Sequence, residues 1–254
     1  MKYKKNLISV IITYYKKKKF IKKTLNSILT QNYHSYEIIF VYDDSNKEDL
    51  KYIKKLLEQF GSKKIIINKK NLGVAKSRNL AINFCKGEFI TFIDSDDIWK
   101  KNKLSYQIKF MKKNSSLISF TSYDLINEIG KFIKKNLVLI DPDYRTLSKS
   151  NFIGLSTIMI HRKILPKIKF PKLKTQEDFA LWLKLLRQGV KFNHIKKSLS
   201  CWRKTKNSLS SRTFDKVIDA FKLYYICENK NLIESTFSVL ILSYNKIIKK
   251  FNIN

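Results

Sequence analysis

A chain of 254 residues can bury a full α/β core, and its three cysteines, Cys85, Cys201 and Cys227, are too few and too scattered for a disulfide scaffold or a paired-cysteine zinc site. Lysine and arginine number 52 against 20 acids, a formal net charge of +32 at pH 7 that draws polyanions, anionic lipid or phosphorylated ligands. Only six of those cations are arginine, the usual bidentate reader of guanine and phosphate, and the lysines are spread along the whole chain, which argues against a nucleic-acid reader.

Leu7 to Thr13 is a short β-branched run of the kind found in strands covered on both faces. Phe20, Ile21, Leu25, Ile28 and Leu29 recur at helical spacing between Lys18 and Thr30. Glu37 to Tyr42 reads as a second strand, Asp49 to Phe60 as an amphipathic helix ending at Gly61, Lys64 to Asn68 as a third strand, and Val74 to Cys85 as a helix closed by Lys86-Gly87. Glu88 to Ile93 is the fourth strand. This β-α-β-α-β-α-β order predicts an α/β fold with a mostly parallel, doubly wound sheet. After Trp99 the regularity changes: a helix over 103–112, strands over 117–123, 136–140 and 154–161, a helix opening at Thr175 to Asp178, and two terminal helices over 217–227 and 233–248. The expected division is a ligand-binding half over 1–100, a second half of the same domain over 101–210, and a helical extension over 211–254.

Ligands of such sheets sit outside the carboxyl ends of the strands. Polar segments fall there four times: Thr13-Tyr14-Tyr15, Asp43-Asp44-Ser45-Asn46, Asn71-Leu72-Gly73 and Asp94-Ser95-Asp96-Asp97. The first loop has no GxGxxG, and the chain has neither GxxxxGK[ST] nor GxSxG, which sets aside dinucleotide oxidoreductases, P-loop enzymes and serine hydrolases of the nucleophile-elbow type. Three carboxylates within four positions after a strand are hard ligands suited to Mg²⁺ or Mn²⁺, with phosphates completing the coordination. The same residues also read as a strand end and turn, with Asp96 or Asp97 capping a helix that begins near Ile98.

Taken in order, Val10 to Tyr15, Glu37 to Ser45, Asn71 to Asn79, the D-x-D pattern at Asp94 to Asp97, and Glu177-Asp178 resemble the family 2 glycosyltransferases of GT-A fold, over about residues 6–210. The segment Trp202 to Ser210 resembles the family's aromatic-arginine stretch near the acceptor. The resemblance implies that Thr13, Tyr15 and Asp43 line the base and ribose pocket, that Arg78 approaches the diphosphate, that Asp94 holds ribose or a metal-bound water, and that Asp96 binds Mn²⁺ or Mg²⁺. Asp178 would be the general base, a role Glu177 could exchange with it; Asp44, Asp97, Trp99 and Arg203 are secondary candidates, Trp99 as a platform for a sugar ring. Thr13 stands where proline is frequent, Tyr42 where many members have an acid, and Thr205 where a histidine often follows. His34, His161 and His194 take no role.

The expectation is an inverting, metal-assisted transferase moving a sugar from a nucleotide sugar, a UDP-sugar by the resemblance, to a glycan or lipid-linked glycan of the cell surface. No apolar run reaches the ~20 residues that cross a bilayer, and the Lys-rich start lacks a cleavage site, so the expected location is cytoplasmic, with peripheral contact at the inner membrane face. An alternative from another class makes the basic surface itself the function, as a nucleic-acid-binding protein without catalysis. It predicts strongly salt-dependent binding to DNA or RNA that survives replacement of Asp96.

Overall fold

The computed structural model describes residues 3–138, 141–205 and 213–251. The first hundred residues form β1 (Lys4–Tyr14), α1 (Lys18–Leu29), β2 (Tyr36–Tyr42), α2 (Lys47–Leu57), β3 (Lys63–Ile67), α3 (Val74–Ile82), β4 (Gly87–Asp94) and β5 (Ile98–Trp99). Then come α4 (Lys103–Lys113), β6 (Ile118–Ile126), β7 (Phe132–Asn136), α5 (Tyr144–Lys149), β8 (Met159–His161), α6 (Glu177–Arg187), β9 (Phe192–Arg203), α7 (Thr213–Lys222) and α8 (Leu232–Phe251).

Among the described residues one mixed sheet runs in the order β3-β2-β1-β4-β8-β6-β9-β5, with β7 paired to β6. The pairs β3-β2, β2-β1 and β1-β4 are parallel, as the alternation of elements predicts, while β8 pairs antiparallel with both β4 and β6. The sheet therefore continues across the boundary near residue 100. Both of its faces are covered, and successive residues of each central strand enter opposite layers. Val10, Ile12, Ile38 and Phe40 pack with Ile21, Leu25, Ile53 and Leu57 of α1 and α2. Ile11, Ile39, Ile90 and Phe92 pack with Ala81 of α3 and Phe179 and Trp182 of α6, in a cluster that also takes in Tyr224 and Val239 from the C-terminal helices.

Three expectations are corrected. Ile98 does not start a helix: Ile98 and Trp99 pair with Cys201 and Ser200 of β9, and α4 begins only at Lys103. Residues 154–161 are not a continuous strand, because Leu155–Thr157 coils into a 3-10 turn before β8, and the hairpin strand opposite β6 is Phe132–Asn136 rather than 136–140. The helix expected to open at Thr175 to Asp178 is α6, which starts at Glu177 after Gln176, held in the left-handed region at φ 62°. Residues 139–140 of the expected strand and 206–210 of the expected acceptor stretch lie outside the described residues.

Candidate active site

Parallel register brings the ends of β1, β2 and β4 level. Thr13 stands opposite Asp94, Tyr14 opposite Tyr42, and the Tyr14 carbonyl accepts the amide of Asp43. Thr13 is half-buried and Tyr15 exposed at this edge. Asp43 is at the predicted edge, and its carboxylate takes part in bonds within the chain. One oxygen accepts from Asn68 (2.7 Å) and the Leu72 amide (2.8 Å), the other from the Gly73 amide (2.9 Å). Gly73, at φ +83°, supplies the left-handed backbone that presents this amide and opens α3. Asp43 thus ties the loop after β3 and the start of α3 to the end of β2. Asp44 does similar work one residue on, accepting from the amides of Lys16 (3.0 Å) and Ser45 (2.8 Å).

The acid turn divides its three carboxylates between two tasks. Asp97 is buried, and both its oxygens are taken, by the Arg203 amide (3.0 Å) and the Ser156 hydroxyl (2.6 Å). Burial, then the neighbouring Asp96 and Asp94, pushes its carboxyl well above the usual range. It ties the turn to β9 and to the 3-10 turn, and is corrected from secondary ligand to brace. Arg203 is likewise a brace, since its guanidinium donates to the carbonyls of Asp96, Asn127 and Glu128. Trp99 is buried, with its indole N–H on the Ser156 carbonyl (2.8 Å) and the Lys103 ammonium over its ring, so it offers no sugar platform. Asp94, with 38% of its side chain exposed, and Asp96, ion-paired to Lys17 at 2.7 Å, are the two acids left at the edge. Burial raises the Asp96 carboxyl, and the Lys17 charge opposes the rise.

Arg78 joins this turn to the second half. From α3 its buried guanidinium reaches Asp94 (2.7 Å) and Glu177 at the start of α6. Burial works against its charge, but Asp94, Glu177 and Asp178 outweigh it and hold its pKa above the usual value. Arg78 is therefore committed to carboxylates rather than open to a diphosphate. Glu177 is buried against it, whereas the next residue, Asp178, is half-buried and accepts the Phe179 amide (2.7 Å). Burial, then the Glu177 charge, lifts the Asp178 carboxyl to about 7, against the pull of Arg78. Two adjacent acids are thereby separated into an ion-paired anchor and a carboxylate poised near neutrality, the property a general base needs.

Sequence reasoning missed Lys17 and Ser156. Lys17 lies in the run Lys16 to Lys19, where composition hides any single lysine, and Ser156 lies in a stretch that reads as strand. The Ser156 hydroxyl bonds Asp97 and accepts the Asp94 amide (3.1 Å), pinning both ends of the acid turn. Among the described residues no group of three or more His, Cys, Asp or Glu forms a metal cage. Asp94 and Asp96 nonetheless fit a divalent cation of the kind held by one or two carboxylates plus substrate phosphates: both are hard oxygen donors of one turn, and each already faces a cationic group.

The model of the family described as "Glycosyl transferase family 2" matches residues 9–169, which include the ends of β1, β2 and β4 and the acid turn. TuaG of Bacillus subtilis, a glycosyltransferase assigned provisionally to teichuronic acid biosynthesis, is 30% identical over 250 residues, 97% of this chain and 98% of its own. An Escherichia coli UDP-Glc:alpha-D-GlcNAc-diphosphoundecaprenol beta-1,3-glucosyltransferase, WfgD, is 33% identical over 82% of this chain and 81% of its own. In fold the chain is similar to TarS of S. aureus, solved in complex with UDP-GlcNAc, with a TM-score of 0.71, 22% identity, and coverage of 92% of this chain and 70% of that one. A doubly wound sheet whose carboxyl edge gathers Thr13, Asp94, Asp96 and, through Arg78, Glu177 and Asp178 is thus the GT-A frame of a glycosyltransferase, and the chain belongs to glycosyl transferase family 2.

Proposed function

We propose that the protein transfers a sugar from a UDP-sugar to a hydroxyl of a lipid-linked surface glycan, with inversion at the anomeric carbon. The observation that carries this reading is the Arg78 bridge, which sets the elevated carboxyl of Asp178 beside the Asp94 to Asp97 turn. The printed donor and diphosphoundecaprenol acceptor of WfgD, and the UDP-GlcNAc held by TarS, support the choice of substrates.

In this reading Thr13 and Tyr15 border the nucleotide at the end of β1, while Asp43 and Asp44 hold the loops beneath it. Asp94 and Asp96 would hold Mn²⁺ or Mg²⁺. The bound cation supplies neutralisation of the charge that develops on the departing nucleoside diphosphate. Asp178 takes the proton of the acceptor hydroxyl as that oxygen bonds to the anomeric carbon, and the bond from that carbon to the diphosphate oxygen breaks on the opposite face. Peripheral contact with the inner membrane face would bring the lipid-linked acceptor within reach. The residues divide at about 100 and 210 into donor, acceptor and helical portions.

Calorimetric titration with UDP, with and without Mn²⁺, tests the donor half, and transfer from UDP-sugars to a synthetic sugar-diphosphate-lipid tests the acceptor half. Metal-dependent UDP binding is expected. UDP binding that is absent under both conditions would overturn the donor assignment.

A further inference from the structure

The last two helices are apolar on more than the face they bury. On α8, Ser235, Val239 and Leu242 turn toward the body of the protein. Ile233, Phe237, Leu240, Tyr244 and Ile247, recurring every three or four residues, form a second, exposed stripe on the opposite side. Ile233 is 69% exposed, so this side is uncovered rather than thinly covered. Thr236 and Ile241 occupy the remaining stripe positions, and no charged residue interrupts it. Helix α7 continues the surface with exposed Phe214, Val217 and Ile218. An apolar groove of about 420 Å³ between the helices, lined by Val217, Ile218 and Leu240 among others, makes the two stripes contiguous. Monomeric proteins seldom leave such an area facing water.

The charges around the stripe identify its occupant. Lys216, Lys222, Lys230 and Lys246 lie on these two helices and their connection. Burial, then the neighbouring Lys246, pushes Lys216 down to about 8. Of the acids, Asp219 is turned inward to Thr175, and Glu228 to Tyr144 and Arg187, while Asp215 lies 3.9 Å from Lys174 and Glu234 stands in the first turn of α8. An uncharged stripe with cationic margins matches an anionic bilayer surface. A second copy matches it poorly, because it would bring together two chains of formal charge +32. No helix among the described residues is long and apolar enough to cross a membrane, so the match is to lying in the interface.

We infer that the α7–α8 hairpin docks the protein on an anionic lipid bilayer, with its outer stripe among the acyl chains and its lysines at the headgroups. The inference rests on the lipid-linked-acceptor reading for its purpose, and the structure supplies a link to the site. Asp219 of α7 accepts from the amide (2.7 Å) and hydroxyl (3.0 Å) of Thr175, and the Lys216 carbonyl accepts from the Gln176 side chain (2.9 Å). The docking element is thus bonded directly to the two residues that precede Glu177 and Asp178.

The test is co-sedimentation of the full chain with vesicles of phosphatidylcholine alone and of phosphatidylcholine mixed with phosphatidylglycerol, comparing wild type with Phe237→Glu and Tyr244→Glu, with mass in solution measured by light scattering and UDP binding measured on the same samples. Wild type should bind the anionic vesicles, and each substitution should weaken binding by about tenfold or more, as expected for losing one inserted large side chain, while leaving mass and UDP binding unchanged. Equal vesicle binding by wild type and both variants would overturn the inference and leave the scattered lysines as the membrane contact. A wild-type dimer that the substitutions dissociate would overturn it in favour of a self-interface. Vesicle binding that behaves as expected without any UDP binding would leave the docking surface standing and remove the donor reading instead.

Discussion

Arg78 and Glu177 are 99 residues apart in sequence and ion-paired in the interior, and the same guanidinium holds Asp94. Removing one partner of a buried pair leaves the other charge without compensation, at a cost of about 3–5 kcal/mol. Arg78→Met should therefore lower the unfolding free energy by that order in a urea titration, and Arg78→Lys should recover only part of it, because one ammonium cannot fork to two carboxylates. Adding Glu177→Gln to Arg78→Met should restore much of the loss. If the double variant were as unstable as the single one, the pair would not be the source of the effect.

Asp178 carries a distinct pH signature. With its carboxyl near 7, catalysis that uses it as a base should fall on the acid side of about pH 7, and Asp178→Asn should lower turnover by about 10²–10⁴-fold without moving the affinity for UDP. The folded carboxyl titrates above its unfolded value of 3.8, so the folded state holds the extra proton between those values. Its contribution to stability is complete below the unfolded value and is lost as pH rises through about 7. Asp178→Asn should therefore be more stable than wild type above neutrality, by about 1–3 kcal/mol in denaturant titrations, with the difference closing toward about pH 4. A pH-rate profile unchanged by the substitution would exclude Asp178 as the base.

The sheet was legible from Leu7 to Asp94 because strands covered on both faces read as continuous β-branched runs and the intervening helices keep a 3.6-residue stripe. The edge where the site lies followed from that order. What each acid does there was not legible. Asp43 and Asp97 look like ligands because a free carboxylate and one holding internal donors are the same letter in sequence, and only the Gly73 amide and the Ser156 hydroxyl, brought in by the fold, separate them. Trp99 was misplaced because two residues of strand carry no periodicity, and their partner, β9, lies a hundred residues later. Lys17 was hidden by the composition around it.

Asp96 is the carboxylate with which the cation reading stands or falls. Asp96→Ala should abolish the Mn²⁺ dependence of UDP binding seen by calorimetry, whereas Asp97→Asn, which alters a brace, should chiefly lower the melting temperature. Lys17→Met removes the ammonium 2.7 Å from Asp96 and should tighten binding of Mn²⁺ alone, read by the loss of the free-ion paramagnetic resonance signal. Metal affinity unaffected by either Asp96→Ala or Lys17→Met would place the cation elsewhere.

Lys103 is the most deeply buried cation of the sheet's acid-turn side, and its bonds run to neutral groups. Its ammonium donates to Gln107 (2.7 Å) and Thr91 (3.2 Å) and lies 4.1 Å from the centre of the Trp99 ring. Burial alone drives its pKa well below the usual lysine value. The unfolded chain then binds a proton that the folded chain binds less readily, so stability is fullest above the unfolded value of 10.5 and is lost as pH falls toward the folded one. Lys103→Met keeps the length and the contact with Trp99 while removing the titration. Its melting temperature should exceed that of wild type at about pH 6, and the advantage should shrink as pH rises toward about 9, where Gln107 misses its donor while wild type has less charge to bury. Parallel melting curves for the two proteins across that range would show that Lys103 is not what makes wild type sensitive to acid, and a variant less stable at every pH would show that its hydrogen bonds outweigh the burial of its charge.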